Sequence, residues 1–523
     1  MTGNHELARS AGLIGGLTFL SRVAGMVRDM VVANFFGAGM VADAFYVAFS
    51  IPNMLRRLVG EGSLTVAFVP VFTEYLHSHS REEALRVVRI AFTIVTLILL
   101  VITLLGILGS RYVVLILAPG FRDVPGKIEL ATSLTQEMFP YLFCIGLVAL
   151  AMGVLNSLKH FTAPAFAPVL LNLAIIAAVS LLHHRFAQPG LSLAFGVLLG
   201  GILQLGLQLP VLWKHGIRFR PEFAFAHPAI VKVGRLLLPS VLGIAVYQIN
   251  ILVATIFVSP FPGGRTFIFY ADRLTEFPLG VFAIAIGTAI LPTLSGHAAK
   301  KDFPALADSL GFGLRLTAFI ILPATVGLAL LRVPLIELIY ERGQFSHQDT
   351  LATANALLFF TLALPPWAGI RVLVPAYYAM QDARTPVRAA GAAMVANALG
   401  CWLLVKHFDH AGVALSIALA AILNFLLHFL FLDKRLAHFL DRPFLIALAK
   451  SALACLPMAA LAWWIARLPL WHQPGQVLLK VLWLGAAVLP GALLYLAGAW
   501  LLRSRELAAV MEILRQKLQR RQS

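Results

Sequence analysis

Arginine and carboxylate side chains are concentrated in two apolar stretches near the start of the chain. Arg22, Arg28 and Arg56 stand in segments long enough to cross a membrane, and Asp43 lies between the last two. An ionised side chain near the centre of a bilayer costs at least about 2.5–3.5 kcal/mol, so such residues face protein or water. Guanidinium groups bind two phosphate oxygens at once through their planar fork. The pattern therefore predicts a cavity that binds a phosphate-bearing anion.

A second charged cluster interrupts an apolar stretch in the other half of the chain. Asp272 and Glu276 are four residues apart, which places them on one face of a helix, and Arg273 lies between them in sequence. We predict that Arg273 joins the three N-terminal arginines in binding the anion, and that Asp43 orients one of them or titrates during the cycle. Secondary or gating roles are predicted for Ser21, Asn53, Glu61, Asp272, Glu276 and Arg371.

A structural interpretation of the same charges stays open. Arg28 is followed by Asp29, and Arg57 stands four residues before Glu61, so both arginines are placed to form local ion pairs. Long basic side chains can also extend to the membrane surface while their stems stay in the apolar region. Under this interpretation, part of the cluster holds helices together and binds no substrate.

The composition excludes a water-soluble protein. Of the 523 residues, 60% are hydrophobic and only 12% are charged, and the mean hydropathy is +0.86. Soluble domains carry about 25% charged residues. The net charge of +17 is expected to reflect basic cytoplasmic loops that face anionic lipid, so we expect no nucleic-acid partner.

No sequence motif indicates catalysis or metal binding. The patterns of zinc proteases, P-loop nucleotide-binding proteins and serine hydrolases are missing from the sequence. The three cysteines lie in apolar segments and have no CxxC spacing, which argues against a disulfide framework or a zinc site. We therefore expect no enzyme activity, no metal and no cofactor.

Hydropathy predicts an all-α polytopic membrane protein with about 14 transmembrane helices, because a helix needs about 20 apolar residues to cross a bilayer. If the N-terminus is cytoplasmic, 24 of the loop and tail lysines and arginines fall on its side and 9 on the other, so both termini are predicted to be cytoplasmic. The candidate spans are 12–36, 41–60, 87–110, 132–156, 163–182, 190–212, 232–258, 266–294, 308–331, 351–377, 386–405, 411–432, 443–466 and 477–502.

The two halves of the chain resemble each other weakly. Gly190-Leu-Ser-Leu-Ala-Phe-Gly and Gly412-Val-Ala-Leu-Ser-Ile-Ala stand 222 residues apart, and Pro70 and Pro292 share that offset. A repeat with an even number of spans keeps its orientation, which predicts two pseudo-symmetric six-helix lobes. Such lobes can rock between inward-open and outward-open forms around a cleft. The alternative explanation is convergent apolar composition.

The polar and apolar stretches predict five regions. They are an N-lobe with spans 1–6 at residues 1–215, a cytoplasmic linker at 216–231, a C-lobe with spans 7–12 at 232–435, two further spans within 436–502, and a basic tail at 503–523. The tail has apolar residues at helical spacing beside several arginines and lysines. This pattern predicts an amphipathic helix that lies on an anionic cytoplasmic leaflet.

Several motifs resemble those of the MurJ (MviN) lipid II flippases. The resemblance is most specific in the first 75 residues and runs from about residue 12 to residue 432. It is carried by Ser21-Arg22-Val-Ala-Gly-Met-Val-Arg28-Asp29, Asp43-Ala-Phe, Pro52-Asn53-Met-Leu-Arg56-Arg57, Gly60-Glu61-Gly62, Tyr270-Ala-Asp272-Arg273-Leu-Thr-Glu276-Phe-Pro278 and Gln381-Asp382-Ala-Arg384-Thr385-Pro386.

The resemblance implies the fold of the multidrug/oligosaccharidyl-lipid/polysaccharide (MOP) exporter superfamily, with two additional helices that form a groove for the undecaprenyl tail, at 436–502 here. The family's cavity arginines correspond to Arg22, Arg28, Arg56 and Arg273, and its first-lobe acid corresponds to Asp43. Its basic residue on the tenth span, often lysine, is Arg371 here. Family members that bind sodium use an acid on the seventh span. Residues 230–260 contain no Asp or Glu, which argues against a sodium site in this chain.

We therefore expect a flippase that moves lipid II from the inner to the outer leaflet of the bacterial cytoplasmic membrane by alternating access. The arginine-rich cavity would bind the pyrophosphate and head group. The energy source stays open, with coupling to the membrane potential or to an ion as the candidates. Lipid II and membrane lipids are the expected partners, with the cell-wall synthesis machinery as a further candidate. The alternatives are another MOP exporter for polysaccharide lipids or cationic drugs, a membrane-embedded glycosyltransferase, and a scaffold that only binds lipid.

Overall fold

The computed structural model of the chain is helical throughout. It describes residues 2–57, 64–436, 442–473 and 475–522, and no β-strand occurs within these ranges. Lipid offers no hydrogen bonds to the backbone, so a membrane-spanning segment must satisfy its peptide groups internally, as a helix does. The predicted all-α membrane class is confirmed.

The chain forms two compact units. Unit 1 comprises Met1–Thr266 together with Arg342–Phe345, and unit 2 comprises Phe267–Glu341 and Ser346–Ser523. The lobes predicted at 1–215 and 232–435 follow the polar and apolar stretches of the sequence, whereas the units follow packing. The lobe boundaries therefore stay a prediction.

Unit 1 is organised around helix α5, which packs against α2, α4 and α7. Two glycines allow the close contact between α4 and α5, because Gly106 lies against Phe139 and Gly146 lies against Leu99. Helix α6 joins α1 to α7. The described helices of unit 1 are α1 (Thr2–Phe36), α2 (Met40–Arg56), α3 (Leu64–Ser78), α4 (Arg81–Leu117), α5 (Lys127–Ser157), α6 (Thr162–Leu182), α7 (Leu191–Lys214) and α8 (Pro228–Val258).

Unit 2 is built around helices α11 and α13, which pack against each other and carry α10, α14 and α15. Helix α9 begins within unit 1 and ends at Pro278, where a π-helical turn, Leu279–Ala283, leads into α10. The described helices are α9 (Gly264–Pro278), α10 (Ile284–Ala299), α11 (Phe303–Leu330), α12 (Arg332–Tyr340), α13 (His347–Ala379), α14 (Arg384–Arg435), α15 (Arg442–Ala466), α16 (Val477–Leu501) and α17 (Arg505–Gln522).

In the described part of the chain, 10 helical segments are long and apolar enough to cross a membrane. Helix α14 contains two of the predicted spans, joined at Asp409, whose backbone has a non-helical φ of 49°. Leucines such as Leu108 and Leu478 are more than two-thirds exposed, as expected for side chains that face lipid rather than water. The number of 14 spans stays a prediction.

A loop at residues 215–227, between α7 and α8, is fastened to the start of α4. Glu222 accepts hydrogen bonds from Arg86 Nε at 2.6 Å and from Arg89 Nε at 3.0 Å. Partial burial acts to raise the pKa of Glu222, but the hydrogen bonds and charges of the two arginines bring the pKa below its ordinary value. The loop is therefore held by an ionised carboxylate.

The turn between α13 and α14 is organised by one carboxylate. Asp382 Oδ1 accepts from the backbone N–H groups of Arg384 and Thr385, both at 3.1 Å. Its Oδ2 accepts from Thr385 Oγ1 at 2.8 Å and from Arg435 Nη1 at 2.8 Å. The hydrogen bonds from Thr385, followed by the bonds from Arg435 and Arg384, lower the pKa of Asp382 to about 2.

Candidate functional site

Arg28, Asp29 and Asn172 form a buried polar network in unit 1. Arg28 donates to Asp29 Oδ1 from Nε at 3.0 Å and from Nη2 at 2.6 Å, and its Nη1 donates to Asn172 Oδ1 at 3.2 Å. Asn172, on α6, donates in turn to the carbonyl oxygens of Ser21 and Pro168. The network ties α1 to α6 and balances the charge of Arg28 inside the protein.

Arg22 has a different environment from Arg28 although both lie on α1. Its side chain is half-buried, and it makes no hydrogen bond or ion pair with the other residues that the structure describes. Within the described ranges, none of the five guanidinium N–H donors of Arg22 is used by another side chain or carbonyl. The neighbouring Ser21 contributes its carbonyl oxygen to Asn172, so this residue helps to hold the backbone that carries Arg22.

Arg56 lies in the last turn of α2 and is oriented by Asn53. Both Nε and Nη2 donate to Asn53 Oδ1, at 3.1 and 2.9 Å, and the Arg56 side chain is half-buried. The contact fixes the plane of the guanidinium group. Glu61, for which a gating role is predicted, lies outside the described residues.

Asp43 is surrounded by four protein donors. Lys127 Nζ and the backbone N–H of Gly263 donate to Oδ2 at 2.8 and 2.9 Å. Thr266 donates to Oδ1 through its backbone N–H at 3.0 Å and through Oγ1 at 2.8 Å. This arrangement joins α2, α5 and the start of α9 within unit 1, and it gives Asp43 contacts suited to holding elements in place.

The predicted residues of unit 2 lie on α9 and α13. Arg273 Nη1 donates to Glu276 Oε2 at 3.3 Å, so the ion pair on α9 forms between residues three apart. Asp272 is half-buried, and its carbonyl oxygen accepts from Thr275 Oγ1. Arg371 is exposed, and its backbone packs against Gly287 of α10. All four predicted side chains are at least partly accessible at the surface of unit 2.

Two residues in these networks were not identified from the sequence. Lys127 is not among the site residues predicted from the sequence. It stands at the first position of α5, where the helix dipole disfavours a cation, and Asp43 supplies the compensating charge. Asn172, on the apolar helix α6, is likewise not among the site residues predicted from the sequence. Its specific contact with Arg28 depends on how α6 packs on α1, which spacing alone does not reveal.

The described residues form no recognisable metal-binding site. Across the described ranges, no group of three or more His, Cys, Asp or Glu side chains is placed to hold a metal ion. The three cysteines are free thiols. Unit 1 instead has guanidinium groups that differ in how far protein carboxylates compensate their charge. Such a set is chemically suited to binding an anion reversibly.

Comparison with known proteins identifies the family. The family model described as lipid II flippase MurJ matches residues 32–482. A "Probable lipid II flippase MurJ" from Vibrio cholerae serotype O1 is 36% identical over 524 aligned residues, which cover 98% of this chain and 99% of the relative.

Solved structures agree with this result. The structure described as "Lipid II flippase MurJ, inward closed conformation" superposes with a TM-score of 0.77 at 27% identity, covering 93% of this chain and 98% of the other. An inward-facing multidrug resistance MATE family transporter of the MOP superfamily gives a TM-score of 0.67 at 14% identity, covering 82% and 98%, a likeness of fold alone. The chain belongs to the lipid II flippase MurJ family.

Proposed function

We propose that this protein translocates lipid II from the inner to the outer leaflet of the bacterial cytoplasmic membrane. The observation that carries the proposal is the match to a lipid II flippase family model over residues 32–482, supported by a relative of that name that aligns over almost its full length. The 10 long apolar helical segments found among the described residues fit a multi-pass membrane protein. We place both termini in the cytoplasm because of the distribution of basic residues.

Arg22 is the residue that we propose to bind the pyrophosphate first. It is a half-buried guanidinium on a membrane helix without a partner among the described residues. A guanidinium charge on a membrane helix is unfavourable in free energy unless an anion compensates it. A phosphate group that accepts two hydrogen bonds from Arg22 would supply this compensation. Arg56, with its plane fixed by Asn53, is the second proposed ligand.

Arg28 and Asp43 are proposed to act mainly through position. Arg28 already donates to Asp29 and Asn172, so an anion would have to compete with a buried carboxylate for its donors. Asp43 has both of its carboxylate oxygens occupied by protein donors. The two residues would hold α1 and α2 in the geometry that presents Arg22 and Arg56.

Within unit 2, we propose Arg273 and Arg371 as anion-binding residues. Arg273 is partly neutralised by Glu276, and Arg371 is exposed. Asp272 and Glu276 would lower the net positive charge around Arg273, so that a bound anion can leave after translocation.

Translocation requires no covalent chemistry. The relatives are flippases and transporters by name, and we propose that this protein likewise changes only the location of its substrate. In an alternating-access cycle a ligand shifts the equilibrium between two forms only as far as its affinities for them differ. Each elementary charge moved through the membrane potential would add about 2.3 kcal/mol per 100 mV to the bias between the two forms.

The proposal can be tested by depletion of the endogenous flippase and rescue with variants of this chain. We expect Arg22→Ala and Arg273→Ala to reach normal membrane abundance but to leave lipid II in the inner leaflet, with loss of growth. Arg111→Ala is the matched control, because Arg111 is exposed and lies outside both charged clusters. Full rescue by both cluster variants would show that these arginines do not bind substrate.

The same assay separates the alternatives. Wild-type protein that restores growth while lipid II transport is directly observed supports the flippase function. Wild-type protein that fails to move lipid II but confers export of a polysaccharide lipid or a cationic drug would assign it to another activity of the MOP superfamily.

A further inference from the structure

A buried ion pair in unit 2 has no part in the proposed binding of substrate. Glu337, on α12, and Lys480, on α16, are joined by an Oε1–Nζ contact of 2.5 Å, and their side chains are 3% and 7% exposed. Lys480 Nζ also donates to the carbonyl oxygen of Gln473 at 2.6 Å. The second carboxylate oxygen of Glu337 is buried and has no hydrogen-bond partner among the described residues.

Stability alone does not account for such a pair. Removing two charges from water offsets most of their mutual attraction, and an apolar pair of similar volume is often at least as stable. The unpartnered oxygen of Glu337 adds a further desolvation cost. The best-supported role of a buried charged pair is to fix the relative position of two elements, which here are α12 and α16.

The first half of α12 packs against the α15–α16 pair through Leu335. Leu331, immediately before α12, forms a buried cluster with Ala462 and Ile465 of α15 and Ala487 of α16. Trp471, between these two helices, belongs to the same cluster and closes it. A displacement of α15 and α16 would therefore be expected to carry α12 with it.

The chain that follows α12 belongs to unit 1. The segment Arg342–Phe345 is assigned to that unit by its contacts, and Gln344 donates its backbone N–H to the carbonyl oxygen of Asn34 at 2.9 Å. Gly343 has a φ of +55° and lies so close to the Asn34 carbonyl that an added Cβ would overlap it. The segment is thus fastened to the C-terminal end of α1.

We propose that Glu337 and Lys480 are positioning residues that couple the α15–α16 pair to the segment Arg342–Phe345 through α12. Three helical steps, about 5 Å, separate Glu337 from the end of α12 at Tyr340. The Tyr340 ring stacks on Tyr270 with a centroid distance of 4.2 Å and an interplanar angle of 9°. A short helix held near both ends moves as one body, so the state of α16 reaches the segment attached to α1.

The inference rests on the proposed function in assigning this coupling a role in transport, so the experiment has one arm that does not depend on lipid II. Full-length protein in lipid nanodiscs is compared by hydrogen exchange as wild type, Lys480→Met and Glu337→Met/Lys480→Met. In Lys480→Met the unpaired Glu337 is expected to separate from α16. Exchange in the peptide containing residues 341–346 should then accelerate by about tenfold, because local opening becomes easier.

The double variant restores an uncharged contact between α12 and α16. We expect its exchange at 341–346 to return to within about threefold of the wild type, as an apolar pair replaces the ionic one. Lys232→Met is the matched control, since Lys232 pairs with Glu74 at 2.6 Å but both side chains are about half exposed. This control should leave exchange at 341–346 unchanged.

The second arm measures lipid II translocation by the same variants at equal abundance. The proposal expects Lys480→Met to lose at least about fivefold in rate and the double variant to recover, in parallel with exchange. If Lys480→Met does not accumulate, Glu337→Gln, which keeps the side-chain volume, is used in its place. Unchanged exchange at 341–346 in the single variants would overturn the coupling whatever the rate of transport, whereas a wild type without lipid II transport would overturn only the proposed function.

Discussion

Asp43 and Lys127 form an ion pair with an Oδ2–Nζ distance of 2.8 Å, and their side chains are 0% and 3% exposed. Lys127 also lies 4.1 Å from the centroid of the Phe121 ring, which supplies a favourable face for the ammonium group. With Gly263 and Thr266 as further donors, Asp43 is the point at which α2, α5 and the start of α9 are joined. The Asp43 carboxylate thus compensates the charge of Lys127 and holds α2, α5 and the start of α9 together.

Lys127→Met is expected to destabilise the protein by about 3–5 kcal/mol, because it leaves the Asp43 carboxylate buried without its counter-charge. The measurement is the unfolding of the purified protein in detergent, induced by heat or by denaturant. Lys232→Met removes a lysine from an exposed pair and should cost less than about 1 kcal/mol. Equal losses in the two variants would contradict a structural role for the Asp43–Lys127 pair.

Arg22 and Arg28 are expected to respond differently to the same substitution. Arg28→Ala removes three hydrogen bonds to buried partners and should lower stability by about 3 kcal/mol. Arg22→Ala removes no hydrogen bond or ion pair with the described residues and should change stability by less than about 0.5 kcal/mol, while it abolishes rescue of growth. Thermal unfolding and rescue are measured on the same preparations. A loss of stability in Arg22→Ala as large as that in Arg28→Ala would show that Arg22 has a structural partner.

The sequence was sufficient to predict which arginines are unusual but not what each of them contacts. The cost of charge in lipid singles out Arg22, Arg28 and Arg56 without any structure. Arg28 has a local partner, Asp29, that is visible in sequence, whereas its second partner, Asn172, is 144 residues away. Contacts at that separation depend on helix packing, for which apolar periodicity gives no register.

The helical class was likewise predictable, but the packing units were not. Hydropathy depends on local composition and locates spans, as it did for α4, α15 and α16. The assignment of Arg342–Phe345 to unit 1 depends on contacts such as that between Gln344 and Asn34. The spacing of these residues in the sequence does not predict this contact.

Glu222→Gln is expected to loosen the loop at 215–227. The two arginines that bind Glu222 are partly exposed, so the ionic contribution should be about 1 kcal/mol and should weaken in high salt. Trypsin cleavage after Arg218 reports the change, because the residue lies in this loop. The variant should be cut faster than wild type at low salt, with a smaller difference at high salt. Glu82→Gln, which alters a nearby exposed acid, should be cleaved at the wild-type rate. An equal increase in the cleavage rate of Glu82→Gln would argue against a specific role for the Glu222 ion pairs.

Asp382→Ala is expected to cost about 0.5–2 kcal/mol, because the residue caps the N-terminus of α14. Because the pKa of Asp382 is lowered to about 2, its stabilising effect is fully present above its ordinary value of 3.8 and is lost as the pH falls toward 2. The difference in melting temperature between wild type and variant should therefore be constant from neutral pH to about pH 5 and shrink below pH 4. Asp308→Ala, at an exposed acid on α11, is the control. A difference that disappears near neutral pH would exclude the ionised cap.

Gly343→Ala tests the attachment of the segment Arg342–Phe345 to α1. Both Gly343 and Gly126 have a positive φ, +55° and +76°, so alanine at either position should cost about 1–2 kcal/mol of backbone strain. At Gly126 the new methyl group would meet open space, whereas at Gly343 it would overlap the carbonyl of Asn34. Gly343→Ala should therefore be the more destabilising of the two by at least about 1 kcal/mol.

Gly343→Ala should also accelerate hydrogen exchange of the peptide 341–346, since the Gln344 amide can no longer approach Asn34. Gly126→Ala should leave that peptide unchanged because Gly126 lies at the start of α5. Equal stabilities and equal exchange in the two variants would mean that the segment is not held by this contact. Transport that is lost in Gly343→Ala but kept in Gly126→Ala, at matched abundance, would assign the attachment a part in the cycle beyond backbone strain.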